Sequence, residues 1–172
     1  MSRSMMRKTL KFLHTAAACG LIGALLGYAV LLVYAPQETP AQYADVRYSI
    51  DVLCNKVLLP SLAVALISGL LSMAVHTPFQ EMRWVWIKAL LGIGMFESTL
   101  AIIQSKAHTA AKISAQMAAG QAPPGALDAA LSTEWSSIAA IFALSMANIA
   151  LGVWRPSLAP RPVRATRATD RP

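Results

Sequence analysis

Residues 12–34 read FLHTAAACGLIGALLGYAVLLVY, a run that contains no Asp, Glu, Lys or Arg. A helix rising 1.5 Å per residue needs about 20 such residues to cross a hydrocarbon core about 30 Å thick. The run lacks the two-residue alternation of a barrel strand, so a membrane-spanning helix is predicted. Working outward, 52–75, 84–104 and 135–154 pass the same test. The predicted fold class is therefore all-α: a polytopic membrane protein whose four transmembrane helices form an antiparallel bundle.

Composition agrees. Hydrophobic residues make up 56% of the chain and charged residues 13%, against about 25% charged in an average soluble domain. With 172 residues, most of them in the spans, there is room for one bundle and none for a soluble catalytic domain. Arg3, Arg7, Lys8 and Lys11 precede the first span as they would a secretory signal, but the apolar run is too long for one and is read as retained. Ala16-Ala17-Ala18-Cys19 resembles a lipoprotein cleavage box, yet it falls in the middle of the run.

Charge sets the expected orientation. Four of the fifteen Lys and Arg lie at the amino end, Arg83 and Lys88 lie at the second connection, and Arg155, Arg161, Arg164, Arg167 and Arg171 lie in the carboxyl tail. By the positive-inside rule both termini are cytoplasmic, in a multi-pass protein of a bacterial inner membrane. The net charge of +7 then faces anionic headgroups, most densely at the tail, and a nucleic-acid partner is not expected. Partners are the bilayer and either a second copy or another membrane protein.

The transmembrane domain is assigned to 1–154, and 155–172, with four prolines among arginines, to a disordered tail. Residues 35–51, with Pro36 and Pro40, read as a short exposed loop, and 76–83 as a tight turn. The third connection is Ala-rich and free of Gly and Pro from 105 to 119, then turns at Gly120 to Gly125. Helices three and four are expected to run past the bilayer as an outer helical hairpin over 105–134. Gly20, Gly23 and Gly27 in span one, Ser61, Ala65, Ser68 and Ser72 in span two, and Ser137, Ile141, Ser145, Asn148 and Gly152 in span four form stripes suited to close helix packing. Pro60 is the expected site of a kink.

Three polar residues invite more than packing. Glu97 lies inside span three, where an ionised carboxylate costs at least about 2.5 kcal/mol. It shares a helical face with Gln104 and His108, which outlines an intramembrane polar path; the alternative is a neutral Glu97 bonded to Asn148 or a serine. Lys88 faces the opposite side of the same helix, and either snorkels to the headgroups or points inward to hold an anion. His14 begins span one at the same depth as Lys88 and His76, and a neutral imidazole facing a bundle interior is a natural ligand for haem iron. Cys19 and Cys54 lie at different depths, and no zinc spacing, nucleophile triad or phosphate loop is present.

Two short motifs carry a resemblance. Lys11-Phe12-Leu13-His14 and Trp84-Val85-Trp86-Ile87-Lys88-Ala89-Leu90-Leu91 resemble the Lys-x-Leu-His and Trp-x-x-x-Lys-x-Leu-Leu helix openings of the HemJ-type protoporphyrinogen oxidases. The helix spacing is also similar to that of small four-helix membrane proteins such as the copper-resistance CopD group. The resemblance implies a b-type haem held by His14, activity dependent on Lys88, and a pocket near His14; His76 is expected at that pocket from its depth alone. Three functions follow as expectations: a haem- or porphyrin-binding protein, a small proton-coupled transporter using Glu97, and a non-enzymatic accessory subunit.

Overall fold

The computed structural model describes residues 3–75 and 82–154. Among them there is no strand, and four helical rods are long and apolar enough to cross a membrane. The first, α1, is Arg3–Tyr34. The second, α2, runs Pro40–Val75 as an α-helix (Pro40–Leu53), a π-helical turn (Cys54–Leu58) and an α-helix (Leu59–Val75). The third, α3, runs Arg83–Ala118 through a π-helical segment at Thr99–Gln104. A 3₁₀ turn (Pro124–Leu127) and one α-turn (Asp128–Leu131) lead to α4, Glu134–Trp154. His76 and the tail from 155 onward lie outside the described residues.

Two expectations need correction. Residues 40–51 are helix, not exposed loop: the Thr39 hydroxyl accepts from the Gln42 amide while the Gln42 side chain accepts from the Thr39 amide, and Pro40 occupies the first turn. That reciprocal cap with an N-terminal proline starts a helix. The expected projecting hairpin is also built differently. At 36 residues each, α2 and α3 are about 54 Å long and outreach a hydrocarbon core of about 30 Å. Their far halves, Pro40–Leu53 and Ser105–Ala118, pack on each other, whereas α4 begins only at Glu134. The projecting pair is thus α2 with α3.

The register of these rods explains the π turns. Across the π turn of α2 the buried residues Ile50, Cys54, Leu58 and Leu62 follow one another, and across that of α3 Met95, Thr99, Ile103 and Ala107, all within 3% of complete burial. Each run repeats every four residues, which a helix of 3.6 residues per turn cannot keep on one face. The wider i→i+5 turn absorbs the difference. Pro60, where a kink was expected, follows directly on the π turn of α2, and the missing N–H falls where the ladder is already altered.

The stripes on α2 and α4 face inward: Ala65, Ser68, Ile141 and Ser145 are buried. On α1 the glycines divide. A side chain at Gly20 would lie 2.6 Å from Ser61 Oγ and one at Gly27 3.5 Å from Leu53, whereas Gly23 faces open space. The outer surface carries large apolar residues such as Leu26, Val33, Ile67, Leu90 and Val153, as lipid contact requires.

Candidate functional site

Near the ends of the rods that carry Arg7, Lys11 and Lys88, here the basic end, the four helices enclose a cavity of about 410 Å³. That volume lies within the range of small-molecule and cofactor sites. Its walls are mostly apolar, with Leu10, Leu21, Leu62, Leu66, Met73, Trp84 and Met95. Its polar lining comprises Arg7, Lys11, His14, Ser72, Lys88, Ser145 and Asn148; among the described residues no carboxylate contributes. The cavity therefore favours a molecule with an apolar body and an anionic edge.

His14 is held by α2. Its Nδ1 is 2.8 Å from the Ala65 carbonyl oxygen and 3.4 Å from Ser68 Oγ, which itself donates to the Val64 carbonyl at 2.6 Å. A carbonyl can only accept, so Nδ1 carries the hydrogen, and the neutral form of such a ring has its lone pair on Nε2. The ring rests on Gly69, where a side chain would approach Cε1 to 3.4 Å. A backbone carbonyl fixing one ring nitrogen is the arrangement that orients metal-binding histidines.

Lys88 enters from α3 on the facing side. Its Nζ lies beside Gly152 in the last turn of α4, 2.7 Å from where a side chain at 152 would begin. The final carbonyls of a helix attract a cation, which accounts for the ammonium lying beside them. Asn148 Nδ2 donates to the Lys88 carbonyl at 3.5 Å, joining α4 to α3. His14 and Lys88 thus line one cavity. The sequence reading used Arg7 as an orientation charge, and Lys11 as that and as part of the helix-one motif; they lie seven and three residues before His14 on α1, on one helical face with it, and that spacing was the available signal.

The remaining polar residues are elsewhere. Glu97 is exposed on the outer surface of α3 and makes no hydrogen bond or ion pair among the described residues; Asn148, considered as its partner, serves Lys88 instead. Gln104 and His108 join α2. Gln104 Nε2 donates to Asn55 Oδ1 at 3.2 Å, Asn55 Nδ2 donates to Asp51 Oδ1 at 2.9 Å, and His108 Nδ1 is 3.3 Å from Asp51 Oδ2. This chain straddles the two π segments at the far half.

A second cluster escaped the sequence reading. Arg47 Nη1 lies 2.6 Å from Glu134 Oε1, the Tyr28 hydroxyl donates to the same oxygen at 2.7 Å, and the two charged side chains are 5% and 10% exposed. Arg47 Nε donates to the Tyr43 hydroxyl at 3.0 Å. Lys106 also donates to the Thr133 hydroxyl beside it. The cluster ties α1, α2 and the start of α4 together far from the cavity.

No curated protein and no solved structure matches the chain, and nothing joins it to the HemJ-type oxidases or the CopD group beyond the two short motifs. Residues 8–156 match a family model described as "Predicted integral membrane protein (DUF2269)", and with most of its length covered the chain belongs to that family of integral membrane proteins.

Proposed function

We propose that the cavity at the basic end binds b-type haem or a free porphyrin, with His14 Nε2 as axial ligand to the iron. The supporting observation is the Nδ1 contact to the Ala65 carbonyl, which leaves Nε2 as the lone-pair nitrogen of a residue that lines the cavity. Arg7, Lys11 and Lys88 supply the cations that propionates require, and the leucine and methionine walls suit a tetrapyrrole face. Haem would supply one-electron chemistry, which the protein tunes through the axial ligand and the dryness of the walls. With both termini in the cytoplasm of a bacterial cell, the cavity sits in the cytoplasmic half of the inner membrane. His76, one residue beyond the described end of α2, belongs to the same proposal as a further ligand.

The test is an absorption spectrum of the detergent-purified protein. A Soret band that is lost in His14→Ala and weakened in Lys88→Ala, while helicity by circular dichroism is kept, supports the reading. Absence of a chromophore after haem reconstitution, or a band indifferent to His14, overturns it. A stable co-purifying protein with no chromophore would select the accessory-subunit reading instead. Proton-coupled transport draws less support, because Glu97 stands apart from Gln104 and His108.

A further inference from the structure

The face of α3 opposite the cavity presents Leu90, Ile93, Gly94, Glu97 and Ala101, all exposed. At 100° per residue these five lie within about 100° of arc, so they form one strip down the rod. Glu97 is the one ionisable residue in it, about 20 Å along the axis from Trp84 and so within the hydrocarbon. Lipid offers a carboxyl group no hydrogen bond, and such residues persist in membranes only against a partner or water. Gly94 adds an independent observation: a side chain built there meets nothing within 4 Å, so no contact among the described residues accounts for the glycine.

We propose that this strip is the interface between two copies of the chain, related by a two-fold axis along the membrane normal, with the two Glu97 side chains bonded to each other. The occupant follows from the chemistry. A carboxylic acid donates one O–H and accepts one in return, so two of them are mutually complementary. An axis along the normal puts both copies' Glu97 at one depth, a match that an unrelated partner would need a dedicated residue to reproduce. Within 90–101 the strip holds no ionisable residue besides Glu97, so two copies bring no other such group into the hydrocarbon between them. Gly94 and Ala101 flank Glu97 by three and four residues, and their small size lets the two backbones approach.

The test uses the full chain in native membranes with the exposed Cys19 replaced by serine and the buried Cys54 left in place. Gly94→Cys and Ala101→Cys are expected to form disulfide-linked homodimers under mild oxidation, whereas Leu26→Cys on α1 and Leu144→Cys on α4, also exposed, should not. Adding Glu97→Leu should lower the dimer fraction of Gly94→Cys about tenfold, and Glu97→Gln, whose amide is also self-complementary, should largely retain it. Equal cross-linking at all four positions, linkage to a different protein, or indifference to Glu97→Leu overturns the proposal. The cysteine map keeps Glu97 intact, so it decides the question even if Glu97→Leu fails to accumulate. The haem reading stands or falls separately, since its residues lie on the other side of α3.

Discussion

Around Tyr28, Arg47 and Glu134, at the far half, the helices close on one another: one carboxylate oxygen serves two donors, and Val46, Ile50 and Ile138 belong to the surrounding buried core. Around His14 and Lys88, at the basic half, the same four rods leave about 410 Å³ between them. The difference lies in what each half gives its polar residues. Arg47 and Glu134 neutralise each other, whereas the cavity that Arg7, Lys11 and Lys88 line has no carboxylate among its described lining residues. A membrane chain gains little from burying apolar groups that lipid would also accept. It is therefore free to close one half with a polar clasp and keep the other as a container.

Substitutions can break this contrast. The largest effect is expected from Glu134→Ala, which strands the buried Arg47 guanidinium and the Tyr28 hydroxyl; removing one member of such a pair costs about 3–5 kcal/mol, and replacing both charges (Arg47→Met with Glu134→Leu) should recover most of it. Reversible unfolding by SDS titration in mixed micelles measures both, and a loss below about 1 kcal/mol for the single change would mean that the clasp does not hold the far half together.

Next comes one substitution made in each half. Ala110, almost fully buried, lies on the part of α3 that packs against α2, and Ala110→Leu should cost about 1–3 kcal/mol by overpacking. Ala18 lines the cavity, and Ala18→Leu should stay within about 0.5 kcal/mol of the parent while reducing porphyrin uptake. Equal costs at the two positions would show that the basic half is as tightly packed as the far half.

The smallest effects sharpen the α1 contact. Gly20→Ala presses on Ser61 Oγ and should cost about 1 kcal/mol, relieved when Ser61→Gly is added. Gly23→Ala meets nothing and should gain roughly 0.5–1 kcal/mol of helix stability.

Much of the fold was legible because lipid imposes a simple test of length and charge, and 12–34, 52–75, 84–104 and 135–154 each fall inside one of the four rods. Residues 40–51 failed that test for a local reason: Pro36, Pro40 and scattered polar residues resemble a loop, and the cap signature Thr39-Pro40-x-Gln42 was outweighed by them. The shared cavity position of His14 and Lys88 was legible from depth, since alternate helices bring their ends back to one side. Arg47 and Glu134 were not, because 87 residues separate them and neither carries a periodic signal naming the other. Glu97 was placed on a path with Gln104 and His108 by a uniform 100° per residue, and the π segment at Thr99–Gln104 breaks that phase.

The π segments of α2 and α3 carry one further consequence. Each inserts extra arc into its rod, so the face that α2 turns to α1 near Ala65 and the face that it turns to α3 near Ile50 are set by a residue count as well as by composition. Dropping a single amino acid from the α-helical 48–53 would swing the part of the rod before it by about 100° and carry Arg47 away from Glu134, though every side chain kept its chemistry, whereas a loss from 54–58 is absorbed as the wide turn closes to α geometry. Among natural variants, length should accordingly drift in the connections around 35–39 and 119–123, and change inside these two rods only by single residues at 54–58 or 99–104.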